Sequence, residues 1–460
     1  MGRLASGEPD AHTHATLALT PASDVVRDRE DDGLRWLLSF ADMERGVGWN
    51  PASAPGEQWK LARTRRLLDL GGSPDRSLAC VLIAGTKGKG STAALLASIL
   101  HAGGIRAGLY TQPHLQDYRE RIRVDGAAIA PDDFADAVAA MRTDVERLRG
   151  LHPEAGEPTT FEITTALALG HFARAGCAVA VVEVGLGGRL DATNALEPLL
   201  SVITPISHDH TDVLGRTLAA IATEKAGIMR PGRLALLAPQ RPVAARALHR
   251  HCRLVGARCV TVEPLARGTR LSLAGDHQRT NAALAVAAAR ALPGAAVDER
   301  AISVGLARVR WPGRFEVIDG PPTIVLDGAH NGASAQAFAR TLREHAGDRP
   351  IHLVVGMHGD KEIAATLRPL LAMASSVTTT RARGPRALAA EQLAARCRRA
   401  GAAAPRIASS VEEAFAIARA LAGRDGIVAV TGSLALVGEA RDVLGLDAVF
   451  ELWPREANLP

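Results

Sequence analysis

Residues 79–92 read ACVLIAGTKGKGST. An apolar run, 79–84, enters a glycine loop, and an Ala/Leu-rich stretch, 90–103, leaves it. Strand, glycine turn and helix in that order form a phosphate-binding loop. Glycines let backbone N–H groups close around phosphate oxygens, and the helix N-terminus adds partial positive charge. Lys89 is placed for the β- and γ-phosphates, with Ser91 near the same oxygens. The strict GxxxxGK[ST] spacing is not met, because Gly90 stands between Lys89 and Ser91. A plain glycine turn is the competing reading; two lysines in the loop favour a nucleotide.

Further apolar runs occur at 178–184, 200–205, 323–327, 351–355 and 426–431. Helical stretches lie between them, such as 161–175, 280–291 and 411–422. Continuous apolar strands alternating with helices predict an α/β fold, with parallel sheets covered on both faces. The stretch WPGRFEVIDGPP, 311–322, disfavours regular structure, and a fresh strand–helix series follows it. Three segments are therefore expected: a polar, acidic, disordered lead-in at 1–30, a large α/β domain at 31–312 and a smaller α/β domain at 313–460.

Composition excludes several classes. The chain carries 47% hydrophobic and 22% charged residues, as ordinary globular proteins do. A net charge of +5 on 460 residues is too dilute for a nucleic-acid partner. The basic clusters at 63–66 and 396–399 read as solvated helix faces. The five cysteines are odd in number and lack CxxC spacing. That argues against a disulfide framework or zinc ribbon and for a reducing compartment. No apolar run approaches the ~18 residues of a membrane span, and residues 1–16 lack an apolar signal core. Five lysines stand against 49 arginines: Lys60, Lys87, Lys89, Lys225 and Lys361.

Three polar groups follow strand ends. Glu183 closes run 178–184 and precedes GLGGRLDATN, 185–194. A carboxylate there, beside a phosphate loop, is a natural magnesium ligand; capping a helix or meeting an arginine is the alternative. SHDHTD, 207–212, follows the next strand. His208, Asp209 and His210 together in a polar turn point to a site, though without a third nitrogen or sulfur ligand for zinc. In EKAGIMRPG, 224–232, spacing alone makes Lys225 a helix-surface lysine paired with Glu224 or a nearby acid.

Taken together, the stretches resemble the folylpolyglutamate synthase/dihydrofolate synthase family of the Mur ligase superfamily. They are GTKGKGS (85–91), YTQPHLQDYRERIRV (110–124), TFE (160–162), EVGLGGRLDATN (183–194), HDHTDVLG (208–215), EKAGIMRPG (224–232), HQRTNAALA (277–285), WPGRFE (311–316), LDGAHN (326–331) and GSLALVGEAR (432–441). The resemblance implies a P-loop Mur-ligase-like central domain and a smaller Rossmann-like C-terminal α/β domain, with the active site between them. It implies an ATP-dependent acid–amino-acid ligase. Such an enzyme joins L-glutamate to dihydropteroate, or to the γ-carboxylate of a reduced folate, through an acyl phosphate. A cytoplasmic monomer without nucleic-acid or membrane partners is expected.

Residue by residue, Gly88, Lys89, Gly90 and Ser91 match the ATP phosphate loop. Asn281, Arg314 and Asp327 match nucleotide contacts, and His330 matches a residue near the transferred phosphate. Glu183 and His210 match magnesium ligands, with two metal sites implied. Gln112 stands where relatives often have a magnesium-binding Ser, and its amide oxygen can serve. Lys225 matches a lysine carboxylated by carbon dioxide, which turns a cation into an oxygen ligand. Arginine cannot replace it, because it does not shed its proton. Thr160, Phe161, Glu162, Leu190, Asp191 and Ala192 match the pterin pocket, where an aromatic ring stacks on the heterocycle and an acid accepts its N–H groups. Core packing is the other reading of Phe161. Lys87 stands where many relatives have Asn. Lys361 follows a C-terminal-domain strand and is expected to face the cleft.

Alternatives remain at this point: a single-activity folylpolyglutamate synthase, a Mur-type cell-wall ligase, and a non-ligating P-loop ATPase. TFE and GLGGRLDATN favour folate over a cell-wall precursor. The DGAHN segment is not needed by a plain ATPase.

Overall fold

Strand β1 (Ala79–Ala84) shows why a parallel sheet forms. Cys80, Leu82 and Ala84 enter one apolar cluster, while Val81 and Ile83 enter another on the opposite face. A strand with two apolar faces and two hydrogen-bonding edges must lie inside a sheet covered on both sides. The computed structural model describes residues 22–42, 61–294, 297–359, 363–384 and 386–453. Lys60 and Lys361 lie outside the described residues. Residues 22–30, expected to be disordered, instead begin a helix that runs Ala22–Leu37.

The first sheet comprises β1, β2 (Ala107–Tyr110), β3 (Ile122–Val124), β4 (Ala127–Ala128), β5 (Val179–Glu183), β6 (Leu200–Ile203), β7 (Leu234–Leu237) and β8 (Arg258–Thr261). Their order is β4-β3-β2-β5-β1-β6-β7-β8, parallel except for the β2–β3–β4 meander. Helices Lys89–Ala102, His277–Ala291 and Glu299–Arg308 cover one face, while Pro131–Leu151 and Thr160–Arg174 lie on the other. The order switches at β5–β1–β6, the crevice where open α/β sheets hold ligands.

The second sheet comprises β9 (Glu316–Ile318), β10 (Thr323–Asp327), β11 (Ile351–Val355), β12 (Ser376–Thr379), β13 (Arg406–Ile407) and β14 (Ile427–Thr431). Its order is β13-β12-β11-β14-β10-β9, with only β9 antiparallel. Again the central strand splits its residues: Ile427 and Ala429 face one cluster, Val428 and Val430 the other.

After helix Leu434–Val443 the chain returns to the first unit. Leu452 is fully buried, and with Trp453 it joins the core under β1 and β5. Leu452 N–H donates to Gly126 O at 3.1 Å, and its own carbonyl accepts from Arg310 N–H at 2.6 Å. Packing therefore sets Leu452 and Trp453 against the first unit, within the span 313–460 expected to form the second.

Two expectations about charged and sulfur side chains are corrected. Arg63, read as part of a solvated face, is 4% exposed. Its Nε and Nη2 each donate to a different Glu162 oxygen at 2.8 Å. Arg63, Thr64, Leu67 and Leu68 share the buried stripe of helix Leu61–Leu70, so helical phase overrides the local charge run. Cys252 and Cys259 form a disulfide, while Cys80, Cys177 and Cys397 are free and buried. The left-handed turn at Gly256 folds β8 back along helix Pro242–Val255 and brings the two sulfurs together.

Removing one partner of a buried ion pair leaves the other charge stranded, at about 3–5 kcal/mol. Arg63→Met is expected to lower unfolding stability by that amount in denaturant titration. Arg66→Ala, whose partner Glu154 is mostly exposed, is expected to change it by about 0.5 kcal/mol or less.

Candidate active site

The phosphate loop occupies the carboxyl end of β1. Thr86 and Lys87 N–H groups both donate to Pro205 O, at 3.1 and 3.3 Å, tying the loop to the segment after β6. Gly88 caps helix Lys89–Ala102 in the left-handed region, at φ 85°. A methyl there would strike the Asn281 amide, so Gly88 is required twice over, by backbone and by contact. Asn281 is itself held by Gln278, whose Oε1 accepts from Nδ2 at 2.8 Å. Gly90 and Ser91 fill the first helical turn. The structure thus brings the expected ATP contacts Gly88, Lys89, Gly90, Ser91 and Asn281 into one place.

Glu183 ends β5 beside the loop. Its Oε1 lies 3.6 Å from Lys89 Nζ, and its Oε2 accepts from Gln112 N–H at 3.2 Å. Gln112 Nε2 donates to Glu183 O at 3.1 Å, leaving Gln112 Oε1 buried without a protein partner. Gly90, Gln112, Glu183, Trp311 and Arg314 help line a cavity of about 40 Å³. An orphaned acceptor beside a carboxylate, in a space large enough for a water or an ion, fits a hard cation.

Lys225 is not the surface residue that its spacing suggested. It is 4% exposed, and its Nζ donates to Gly85 O at 2.9 Å. Burial, reinforced by the nearby Lys89 charge, pushes its amine down to about 7. Glu224 pairs instead with Arg189, at 3.0 Å. His210 stands at the end of the 207–210 turn in the left-handed region, with its side chain 46% exposed. Among the described residues no three His, Cys, Asp or Glu side chains converge into a ready metal cluster.

The second unit contributes Arg314, Asp327 and His330. Asp327 accepts from Phe315 N–H at 2.8 Å and Ala329 N–H at 2.9 Å. Burial pushes its carboxyl up to about 6, against the opposing pull of Arg314. Glu316 pairs with Arg441 rather than Arg314, and Asn331 rather than Asp327 caps helix Gly332–Ala346. His330 Nδ1 donates to Gly328 O at 2.8 Å, which fixes its tautomer. Sequence reasoning named Asp209 only as part of a polar turn, and it missed Asn331 and Arg441 altogether. Asp209 Oδ2 takes Lys87 Nζ at 2.9 Å and Asn331 Nδ2 at 3.3 Å, joining the two units.

The residues expected at a pterin pocket lie in two segments that meet at Gly185, 160–162 and 190–192. Phe161 is half-buried and stacks on Tyr110 with ring centroids 6.1 Å apart, and Leu190 is half-buried. Glu162 is corrected: both its oxygens are bound by Arg63, and it is 4% exposed. Thr160 donates to Leu37 O at 3.1 Å inside the fold. Asp191 accepts from Leu186 N–H, Thr193 N–H and the Thr193 hydroxyl. Ala192 is buried in the same turn. All four are buried.

A phosphate loop at a topological switch point, faced by a second α/β unit, defines the Mur-type ligases. The Mur ligase middle domain matches residues 83–238, and the Mur ligase glutamate ligase domain matches residues 313–434. The Mycobacterium tuberculosis dihydrofolate synthase/folylpolyglutamate synthase is 36% identical over 444 residues, covering 84% of this chain and 90% of that protein. The Halobacterium salinarum "Probable bifunctional folylpolyglutamate synthase/dihydropteroate synthase" is 39% identical over 388 residues, 78% of this chain. This chain spans only 46% of that longer relative. A solved structure of Mycobacterium tuberculosis folylpolyglutamate synthase complexed with ADP superposes with a TM-score of 0.83 at 33% identity, covering 92% of this chain and 99% of that one. The chain belongs to the folylpolyglutamate synthase/dihydrofolate synthase family.

Gly88→Ala is expected to weaken ADP binding at least about tenfold by calorimetry, since one lost charged hydrogen bond is worth that much. Gly104→Ala shares the positive φ, at 72°, but meets nothing within 4 Å. It should leave ADP affinity unchanged.

Proposed function

We propose that the chain is a bifunctional ATP-dependent amide ligase in the cytoplasm. It adds L-glutamate to dihydropteroate and to the γ-carboxylate of reduced folates. The acceptor carboxylate takes the terminal phosphoryl group of ATP, giving an acyl phosphate and ADP. The glutamate amine then attacks the acyl carbon, phosphate leaves, and the amine proton passes to solvent. The observation that carries the reading is the convergence of the phosphate loop, Glu183 and buried Lys225 opposite a second unit bearing Arg314, Asp327 and His330. No described helix is long and apolar enough to cross a membrane, which is compatible with the location.

Each residue has a physical task. Gly88, Gly90 and the helix N-terminus bind phosphate oxygens, and Lys89 carries the compensating charge. Asn281 orients the loop. Arg314 and Asp327 take the nucleotide from the second unit, and His330 faces the transferred phosphate. The Lys225 amine, neutral when unprotonated, attacks carbon dioxide; a C–N bond forms, one proton is lost, and a carbamate anion results. Glu183, His210, Gln112 and that carbamate would hold magnesium, which supplies charge neutralisation on the phosphates when bound. Phe161 and Leu190 flank the pterin.

ATP hydrolysis is expected to require both glutamate and a pteroate or folate acceptor. Phosphate release indifferent to those two substrates would sink the ligase reading. Lys225→Arg is expected to lose at least about a hundredfold in kcat while still folding, with a lowered melting temperature from burying a fixed positive charge, because an absent ionic ligand costs several kcal/mol in the transition state. With an amine near 7, roughly nine tenths is neutral at pH 8 and about one tenth at pH 6. Carbamate should therefore fade as pH falls, and added bicarbonate should restore its ¹³C resonance. A resonance insensitive to pH and bicarbonate would remove the carbamate.

A further inference from the structure

Lys87 is the phosphate-loop lysine that the proposed chemistry does not use. Its ammonium lies 2.9 Å from Asp209 Oδ2, and both side chains are largely buried. The same oxygen accepts from Asn331 Nδ2 at 3.3 Å. Three segments meet at this atom. Lys87 adjoins Gly88 and Lys89, Asp209 adjoins His210, and Asn331 adjoins His330. The first two belong to one unit and the third to the other.

Neither end of this chain of contacts is loose. Thr86 Oγ1 donates to Ser207 O and accepts from Ser207 N–H, each at 3.1 Å, so the phosphate loop and the 205–209 segment move together. Asn331 Oδ1 accepts from Ser334 N–H at 3.0 Å and caps helix Gly332–Ala346, which leaves its amide nitrogen pointed at Asp209. One carboxylate oxygen held by an ammonium and reaching a fixed amide is a directional, charge-assisted contact.

We propose that Asp209, oriented by Lys87, is a positioning residue that latches the second unit onto the phosphate loop through Asn331 and so sets His330 for phosphoryl transfer. The inference rests on the ligase reading. Phosphoryl transfer depends on placement, so loss of the latch acts on kcat more than on ATP binding.

The test exchanges the two side chains. Asn331→Asp keeps the helix cap, since Asp and Asn cap equally well, but it sets one carboxylate against another. It is expected to lower kcat about tenfold or more, the value of one hydrogen bond to a charged group, with KM for ATP changed less than about threefold. Adding Asp209→Asn restores an amide–carboxylate pair with donor and acceptor reversed. The double variant should recover most of kcat. The second readout is the interdomain distance with ADP bound, by spin labels on exposed Ala140→Cys and Ala420→Cys. The distance should broaden in Asn331→Asp and narrow again in the double variant. Unchanged kcat and distance in Asn331→Asp, or a double variant worse than the single in both, would overturn the latch. A wild-type protein that ligates no glutamate would instead overturn the ligase reading, while the ADP-bound distances still judge the latch.

Discussion

Strand β1 is hydrogen-bonded along both edges, to β5 and β6, and is packed on both faces. Along its length no polar side chain can reach a ligand, so its chemistry is delivered where the strand stops. The same holds for β5, whose last residue is Glu183. Their register sets Ile83 opposite Glu183, and the phosphate loop leaves β1 two residues later. The 3.6 Å separation of Lys89 and Glu183 is thus a consequence of sheet pairing. Everything else in the site is arranged around that fixed pair.

Charge is concentrated there in an uncommon way. Lys87, Lys89 and Lys225 belong to adjoining segments, and the last is almost wholly buried. Two ammonium groups beside a third disfavour its protonation, and desolvation works in the same direction. A neutral amine is the form that combines with carbon dioxide, and an anion formed there would meet two cations instead of adding a third. The arrangement that makes a lysine costly as a cation makes it well suited to become a carbamate. The Lys87–Asp209 pair moderates the same field by setting one carboxylate against one ammonium.

Much of this was legible from sequence, for a physical reason. Apolar runs at strand length and glycine loops report on contacts a few residues apart, so β1, β5, β6, β10, β11 and β14, with the loop after β1, were read at nearly their observed bounds. Short strands such as β3, β4 and β13 carry too few residues for a period. Side-chain roles set by distant partners were less accessible. Arg63 and Glu162 are 99 positions apart, and only folding reveals that each neutralises the other. Lys225 looked like a surface lysine because nothing local announces that Gly188 and Arg189 pack across its helix.

The two units meet through contacts of different character. The linker around Arg310 and the returning segment at Leu452 run side by side, joined by a backbone hydrogen bond and anchored in the first unit's core. Near them Arg441, buried in the second unit, meets Glu316 and the side-chain oxygen of Gln116, the latter at 2.7 Å. These contacts are backbone or buried and resist separation. At the cleft the units meet at a side-chain contact through Asp209, and side-chain contacts yield before packed backbone does. Rotation about the linker and returning segment would open the site at Asp209 while leaving the core at Leu452 intact. Phe315 sits just past that line in the left-handed region, at φ 49°, held by its N–H bond to Asp327. Asp327 therefore ties a strained linker residue to the end of β10.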